Sequence, residues 1–352
     1  MHSSFKINNT SFTSTSIIGF IDELLNEEDS YLNDIGFFLE SWFNEKAYII
    51  VQTSGSTGNP KKIKLDKVQM TNSALATGEF FNLKENTKAL LCLSANYIAG
   101  KMMLVRAIVL GWDIHLVAPL SNPLESVTQK FDFCAMVPLQ VQSSLKYIEN
   151  IKTLIIGGGE VSVSLQNSLA KLKTSCYATY GMTETITHIA VKQLNNFRED
   201  ILNTNHYTLL PNIKISKDKR ECLVINAPKL SENKIITNDI VSIFSDSSFE
   251  WLGRFDNIVN SGGVKLFPEQ IEFKLSKIIK QRFFIAGVPD EKLGQKLVLV
   301  IESRNRLIDD KLDYEKCKLE KYEKPKKVYL LNNFIETTTG KIKRKETLKL
   351  LQ

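Results

Sequence analysis

Residues 53–62 read TSGSTGNPKK and directly follow the apolar run AYIIV. The stretch combines glycines, hydroxyl residues, a proline and a pair of lysines. Glycine lets the backbone approach a bulky anion, hydroxyl groups donate hydrogen bonds to it, and lysine adds positive charge. A loop of this composition after a strand predicts a phosphate-binding loop, although a surface loop without a ligand stays open on this stretch alone.

The loop differs from the Walker A pattern, G-x-x-x-x-G-K-[ST], because Gly58 is followed by Asn59 and Pro60. Proline also stops a helix from continuing directly out of the loop. The phosphate-binding hypothesis therefore depends on other parts of the chain.

Strand-like and helix-like patterns alternate along residues 47–190. Short apolar runs such as AYIIVQ, ALLCLS and FDFCAMV are separated by stretches with apolar residues at helical spacing. This alternation predicts βαβ units and a largely parallel sheet. Residues 206–255 instead indicate antiparallel strands. From PEQIEFKLSKIIK onward the pattern indicates a compact α+β unit, with a charged helix before the strand KKVYLL.

Composition excludes several kinds of protein. The chain has 352 residues, 43% hydrophobic and 24% charged, as in a globular protein of more than one domain. No apolar run reaches the length of about 18 residues that a membrane helix needs, and the N-terminus does not look like a secretory signal. The five scattered cysteines suggest neither a zinc site nor a disulfide framework, which predicts buried thiols in a reducing, cytoplasmic compartment, and the four histidines are too few and too dispersed for a metal cluster.

The net charge of +6 favours anionic small-molecule ligands. Much of the positive excess follows residue 310, and we interpret it as a solvated lysine-rich face. Binding of nucleic acid through this tail is the distant alternative, and we expect neither a nucleic-acid nor a membrane partner.

The loop resembles the pattern [ST]-S-G-[ST]-T-G-x-P-K of the ANL superfamily of adenylate-forming enzymes. The resemblance implies that the loop holds the β- and γ-phosphates of ATP. Its matching residues are Thr53, Ser54, Gly55, Ser56, Thr57, Gly58, Pro60 and Lys61.

Three further segments resemble superfamily motifs and occur in the same order. In YGMTET the resemblance implies that Tyr180 packs on adenine, that Thr183 contacts the α-phosphate and that Glu184 binds Mg²⁺. Gly181 belongs to the same nucleotide-binding motif. In TNDIV, Asp239 would accept the ribose hydroxyls, although Asn238 replaces the usual glycine. Arg254 of GRFD would contact the ribose and phosphates.

The last motif is TTTGKIKRKE, in which Lys341 matches the catalytic lysine of the superfamily. A cation over the α-phosphate stabilises the charge that develops during carboxylate attack. A weaker match is LIIGGGE, whose counterpart in the superfamily lines the adenine and acyl pocket, so that Gly157, Gly158 and Gly159 would keep that wall free of side chains.

The resemblance implies a two-step reaction with ATP, Mg²⁺ and coenzyme A. The acid becomes an acyl-adenylate, and a thiol then displaces AMP. A small C-terminal domain would rotate about Asp256 between the steps, and Gly262 and Gly263 would let the pantetheine arm of coenzyme A pass.

The acid is indicated by SANYIAGKMMLVRAIVLG, in which Gly100 and Arg106 resemble the o-succinylbenzoate–CoA ligases of menaquinone synthesis. There an arginine pairs with a second carboxylate of the substrate. Arg106 in an apolar helix needs an anionic partner, which could instead be an internal Asp or Glu. His188 either lines the same pocket or lies at the edge of the core.

The resemblance predicts an α/β fold with two domains. Residues 1–255 would form the ATP- and acid-binding domain, with a mostly parallel sheet, a small β-barrel-like part and a shortened N-terminal region. Residues 256–352 would form the mobile α+β domain. Two amphipathic helices before the loop, or a homodimer partner, would cover the sheet.

The alternatives to an o-succinylbenzoate–CoA ligase are another aryl- or acyl-CoA ligase, an enzyme that loads a carrier protein, and a non-catalytic AMP-binding module.

Overall fold

The computed structural model describes residues 1–52, 62–196, 206–304, 312–337 and 342–351. The helices within these ranges are α1 (Ser16–Leu25), α2 (Ser30–Phe43), α3 (Lys67–Phe80), α4 (Ile98–Leu110), α5 (Pro138–Ser143), α6 (Val163–Leu169), α7 (Pro268–Leu275) and α8 (Arg344–Leu348). The strands are β1 (Lys6–Ile7), β2 (Thr10–Ser11), β3 (Tyr48–Gln52), β4 (Lys62–Asp66), β5 (Lys88–Leu91), β6 (Asp113–Leu116), β7 (Phe131–Met136), β8 (Ile151–Ile156), β9 (Ser175–Gly181), β10 (His188–Gln193), β11 (Tyr207–Leu209), β12 (Lys214–Lys217), β13 (Cys222–Asn226), β14 (Ile235–Ser245), β15 (Ser248–Arg254), β16 (Val259–Ser261), β17 (Val264–Leu266), β18 (Phe283–Asp290), β19 (Gly294–Glu302) and β20 (Lys327–Leu331).

A 13-stranded sheet in the order β12-β13-β14-β15-β11-β10-β9-β8-β7-β5-β6-β1-β2 forms the centre of the molecule. Its segment from β9 to β1 is parallel, with α4, α5 and α6 in the crossovers. Successive residues of β5 enter two different cores, because Ala89 and Leu91 face one cluster and Leu90 faces the other. Burial of both faces explains the continuous apolar runs of these strands, and the predicted α/β fold is confirmed.

The antiparallel strands of residues 206–255 extend this same sheet. β10 runs antiparallel to β9, and β11, β15, β14, β13 and β12 follow in antiparallel order. The strand predictions for this region are confirmed, and the continuous hydrogen bonding places β14 and β15 beside the ends of the parallel strands.

A second sheet has the order β17-β16-β19-β18, with β20 parallel to β19. Gly262 and Gly263 form the two-residue turn between β16 and β17, and both have positive φ angles, 57° and 80°. A tight turn with two positive φ values favours glycine at both positions. The charged helix predicted before β20 is wrong for residues 312–326, where the structure has a short 3₁₀ helix at Tyr314–Cys317.

The predicted N-terminal helices are confirmed as α1 and α2, which pack on each other at Gly36 and contribute Ile17, Ile21 and Phe38 to the main core. The strand β3 does not join the parallel sheet. It pairs with β4 in a separate antiparallel hairpin, so the loop motif connects two strands instead of leading into a helix.

Within the described ranges, none of the helices combines the length and apolar character that crossing a bilayer requires.

Candidate functional site

Two cavities adjoin at the carboxyl ends of β8 and β9. The Tyr180 cavity, of about 360 Å³, is lined by residues of β9, β10, β14, β15 and α7. The Arg106 cavity, of about 280 Å³, extends below it among α4, β7 and the turn after β9. Gly158, Thr179 and Gly181 line both cavities, so a single elongated ligand could occupy the two together.

In the Tyr180 cavity, three predicted residues come together from different strands. The Tyr180 hydroxyl donates a hydrogen bond of 2.6 Å to Asp239 Oδ2, and Arg254 Nε lies 3.6 Å from Asp239 Oδ1. Asp239 is 6% exposed, and its backbone N–H donates to the Thr237 hydroxyl. Burial and then the charge of Asp239 raise the pKa of Tyr180, so its proton stays available for this bond.

The glycines predicted to form the wall line the cavities: Gly157 the Arg106 cavity, Gly159 the Tyr180 cavity, and Gly158 both. A Cβ atom at Gly157 would lie 2.4 Å from Thr179 Oγ1, and Gly158 has a φ angle of 78°. A Cβ atom at Gly181 would lie 2.4 Å from the Thr187 carbonyl oxygen. Side chains at Gly157 and Gly181 would clash with these neighbours at the passage between the two cavities.

Thr183 and Glu184 belong to a 3₁₀ turn directly after β9. Thr183 lines the Arg106 cavity, whereas Glu184 is exposed and is not among the residues lining either cavity. Ile186 closes the turn with a φ angle of 66°, a strained conformation for a β-branched residue.

Arg106 is 1% exposed and makes only neutral contacts in the part of the chain that the structure describes. Its guanidinium lies 3.3 Å from the hydroxyls of Thr77 and Thr187, 3.4 Å from His188 Nδ1 and 3.6 Å from the Met103 sulfur. Burial lowers the pKa of Arg106 to about 9. The internal Asp or Glu considered as its partner is absent among these contacts.

His188 is buried between Arg106 and Thr77 and lines the Arg106 cavity. Burial, and next the adjacent Arg106 charge, lower the pKa of His188 well below its usual value, so the imidazole is neutral. Gly100 is not among the lining residues. A Cβ atom there would lie 2.3 Å from the Ser94 carbonyl oxygen, so Gly100 lets α4 approach the preceding loop.

Asp256 lies in a 3₁₀ turn between the two sheets, where its carboxylate accepts a 3.1 Å hydrogen bond from Asn238 Nδ2. The glycine turn at Gly262 and Gly263 lies in the second sheet and does not line the two cavities. The remaining predicted residues lie outside the described ranges, namely Thr53, Ser54, Gly55, Ser56, Thr57, Gly58, Pro60, Lys61 and Lys341.

Several cavity residues were not predicted from sequence. Glu160, Lys192, Tyr207 and Glu269 line the Tyr180 cavity, and Glu269 Oε2 is buried without a hydrogen-bond partner among the described residues. Of these, only Glu160 has a local signal, since it directly follows the glycine turn. The other three reach the cavity through strand pairing and helix docking.

The described residues suit a nucleotide better than a protein-bound metal. They contain no group of three or more His, Cys, Asp or Glu side chains arranged to hold a metal ion. A divalent ion at Glu184 would therefore take most of its oxygen ligands from phosphates and water, as Mg²⁺ commonly does. Asp239 presents a buried carboxylate, with acceptor capacity left over, to the cavity.

The model of the AMP-binding enzyme family matches residues 21–222, more than half of the chain. This chain belongs to the AMP-binding enzyme family. The resemblance to the ANL superfamily is thus confirmed, and with it the enzyme class, an AMP-forming acid–thiol ligase that uses ATP.

Known proteins similar to this chain align with most of its length. The crystal structure of an acyl-CoA synthetase (AMP-forming)/AMP-acid ligase II-like protein from Dyadobacter fermentans is 36% identical, with a TM-score of 0.63, covering 95% of this chain and 98% of that one. A 2-succinylbenzoate–CoA ligase from Listeria monocytogenes is 23% identical over 87% of this chain and 70% of its own length.

The o-succinylbenzoate coenzyme A synthetase of Bacillus subtilis, solved with ATP and magnesium, gives a TM-score of 0.73 at 21% identity. It covers 85% of this chain and 69% of its own. This likeness establishes the fold.

Proposed function

We propose that this family member activates an aromatic acid with a second carboxylate, o-succinylbenzoate, as its acyl-adenylate and transfers the acyl group to coenzyme A. The observation that carries the proposal is Arg106, a buried guanidinium with only neutral described contacts beside the nucleotide cavity. A buried charge without a counter-ion is costly, and a substrate carboxylate would remove that cost. Relatives named 2-succinylbenzoate–CoA ligase support the same acid.

Adenylation would use both cavities at once. The nucleoside lies in the Tyr180 cavity, with Asp239 accepting the ribose hydroxyls and Arg254 beside the phosphates. The acid lies in the Arg106 cavity, with its reacting carboxylate directed through the glycine passage. A carboxylate oxygen attacks the α-phosphorus, and the bond to pyrophosphate breaks.

Alignment and charge neutralisation are the main contributions that a protein makes to such a transfer. A divalent cation held at Glu184 would neutralise phosphate charge when bound. We assign the β- and γ-phosphates to the loop from Thr53 to Lys61 and the α-phosphate to Thr183 and Lys341, on the motifs of the sequence.

Thioester formation would follow in a second arrangement of two domains, residues 1–255 and 256–352, which turn about Asp256. Gly262 and Gly263 then admit the pantetheine arm. The thiol sulfur attacks the acyl carbon, and AMP leaves with the electron pair of the mixed anhydride.

The experiment is ATP-dependent consumption of coenzyme A with o-succinylbenzoate and benzoate side by side. We expect o-succinylbenzoate to give a kcat/KM at least about 100-fold higher, because only it pairs with Arg106. Equal values for the two acids would contradict the assignment of the substrate. Adenylate formation without consumption of coenzyme A, but with transfer to a carrier protein, would favour a loading enzyme.

ATP binding without pyrophosphate release for any acid would favour a non-catalytic module.

A further inference from the structure

Two successive residues of β14 contact two different parts of the molecule. Asp239 lines the Tyr180 cavity, whereas Asn238 is not among the lining residues. Successive side chains of a strand point to opposite faces of the sheet. On its own face, Asn238 Nδ2 donates the 3.1 Å hydrogen bond to Asp256 Oδ2 in the 3₁₀ turn Phe255–Asn257, which we call the junction turn. One strand thus links the cavity to the turn between the two sheets.

The orientation of the Asn238 amide is fixed by Arg220, in the turn between β12 and β13. Arg220 Nη1 donates a 2.8 Å bond to Asn238 Oδ1, and Arg220 Nη2 donates a 3.1 Å bond to the Thr237 carbonyl oxygen. A guanidinium group has donors only, so the amide must present its oxygen to Arg220. The N–H group of the amide is then left for Asp256.

Arg220 is itself held on the central sheet and also contacts the junction turn. Its Nε donates a 2.8 Å bond to Asp218 Oδ2, and Asp218 Oδ1 accepts from the backbone N–H groups of Arg220 and Cys222. The guanidinium carbon lies 5.3 Å from the centre of the Phe255 ring. A hydrogen bond and a cation–π contact therefore both connect the central sheet to the junction turn.

The junction turn depends on polar contacts because none of its three residues is buried. On the side of the second sheet, Asn257 Nδ2 donates to Glu269 Oε1 of α7. On the side of the central sheet, the contacts come from Asn238 and Arg220. A glycine, which the superfamily motif usually has in place of Asn238, could make neither of the two side-chain bonds of this asparagine.

We propose that Asn238, oriented by Arg220, ties the junction turn to the central sheet and holds the second sheet in its present arrangement. Both are then positioning residues for the change between the two half-reactions. The inference rests on the proposed function in that it takes rotation about Asp256 as the step between adenylation and thioester formation. Gly262 and Gly263 do not line the cavities in this arrangement, so loss of the tie should favour the arrangement for thioester formation.

The test is the Asn238→Ala variant of the full chain, and its first readout is hydrogen exchange measured by mass spectrometry. In the junction turn, the Ile258 N–H donates to the Phe255 carbonyl oxygen. We expect exchange there to be about fivefold faster, because removing a hydrogen bond to the turn makes local opening more frequent. Exchange in β18 and β19 should not change, which shows that the second sheet stays folded.

The second readout is the ratio of the two half-reactions in single-turnover assays. The rate of thioester formation from supplied acyl-adenylate, divided by the rate of adenylate formation, should rise about fivefold in Asn238→Ala. The dissociation constant of AMP should change little, because Asp239 keeps its bonds to Tyr180 and Thr237.

Two further variants and a matched control separate the contacts. Asn238→Asp keeps an acceptor for Arg220 but places a carboxylate against Asp256, so it should loosen the turn at least as much as Asn238→Ala. Arg220→Met removes the bond that orients the amide and should shift both readouts in the same direction. Asn233→Ala removes an exposed asparagine side chain between β13 and β14 and should leave both readouts unchanged.

Unchanged hydrogen exchange at the junction turn in Asn238→Ala would overturn the inference. An unchanged ratio of the half-reactions, or a large loss of AMP binding, would overturn the positioning role, since the asparagine would then act by local packing or through Asp239. Faster exchange in a protein that releases no pyrophosphate with any acid would leave the tie standing and refute the ligase reaction.

Discussion

Arg106 is the buried cation of α4, whose other cation, Lys101, is only partly buried, and the chemistry of Arg106 is dominated by burial. The folded chain lowers the pKa of Arg106 from 12.5 to about 9, so the unfolded chain binds its proton more strongly. Between these values the unfolded state carries more protons, and the free energy of unfolding should therefore rise with pH. The folded protein maintains this unfavourable charge in the wall of the Arg106 cavity.

Replacement of Arg106 by glutamine should affect one substrate much more than the other. We expect the KM for a dicarboxylic aryl acid to rise about 30-fold or more, because truncating one partner of a buried charge pair costs at least about 2 kcal/mol. The KM for ATP should change little. Steady-state kinetics with each substrate varied in turn measures both, and Arg282→Gln, at a side chain that is 46% exposed, is the control. Equal increases for acid and ATP would contradict the carboxylate pairing.

The same arginine predicts a pH dependence of acid selection. As pH rises through about 9, Arg106 in the free enzyme loses its proton, and kcat/KM for the dicarboxylic acid should fall. The value for benzoate, which has no second carboxylate, should not follow that fall. Profiles from pH 7 to 10 for both acids give the comparison, and parallel curves would assign the titration to another group.

Tyr180 has a hydroxyl group whose described partner is Asp239. Tyr180→Phe keeps the ring, which we propose packs on the base, and removes one donor from a buried carboxylate. We expect the dissociation constant of AMP to rise about tenfold, since a hydrogen bond to a charged group is worth roughly 1.5 kcal/mol or more. Tyr97→Phe, at an exposed tyrosine, should have no effect in the same titration. Unchanged AMP binding in Tyr180→Phe would show that the Tyr180 hydroxyl does not contribute to nucleotide binding through Asp239.

At the level of elements, an ion pair connects α7 to α8. Arg344 Nη2 lies 2.7 Å from Glu272 Oε2, and the Ile285 N–H donates a 2.7 Å bond to Glu272 Oε1. Burial raises the pKa of Glu272 to about 7, although Arg344 acts to lower it. Because the folded chain binds this proton more strongly than the unfolded chain, Glu272 makes the free energy of unfolding fall as pH rises from 4.5 to about 7.

Arg344→Gln should therefore destabilise the protein in a pH-dependent way. At pH 8.5 the variant leaves an ionised Glu272 without its cation, and we expect a loss of about 3 kcal/mol. At pH 5.5 Glu272 is protonated and the loss should be smaller. Urea unfolding at both pH values measures the difference, with the exposed Lys316→Gln as the control. An equal loss at both pH values would mean that Arg344 acts by packing on Phe284, whose ring lies 5.8 Å away.

On the scale of the whole molecule, the two sheets divide at the 3₁₀ turn that contains Asp256. The proposal of two rotating domains predicts that each half-reaction uses a different set of residues. Lys341→Ala should reduce adenylation by about 100-fold or more, because it removes a cation from the developing charge. Thioester formation from supplied acyl-adenylate should continue at nearly the wild-type rate. Single-turnover assays separate the steps, and a loss of both would indicate a structural role for Lys341.

Much of the fold was predictable because its signals are local. The strands β5, β7 and β8 are apolar runs buried on both faces, and apolar residues at helical spacing mark α1 to α4. Their alternation along the chain predicts the elements and the parallel pairing of these strands. The sequence predicts the glycine wall of residues 157–159 beside the cavities, and the structure adds that Gly158 and Gly262 have positive φ angles, which favour glycine.

Other features depended on long-range pairing. The apolar run AYIIVQ predicts a strand, but it does not indicate whether that strand joins the central sheet or pairs with β4 in a separate hairpin. Both arrangements have the same local sequence pattern. The charged helix predicted before β20 is replaced by a 3₁₀ helix that buries Cys317 in the core of the second sheet, a contact that charge spacing along the segment does not indicate.

The sequence by itself determined the order of the elements, the family motifs and the presence of an arginine within the apolar run MMLVRAIVL, because these depend on residue type and spacing along the chain. Only the tertiary structure decided that Arg106 meets neutral groups and that Tyr180 contacts Asp239. These groups are separated by tens of residues and are brought together by strand register, which no local pattern encodes.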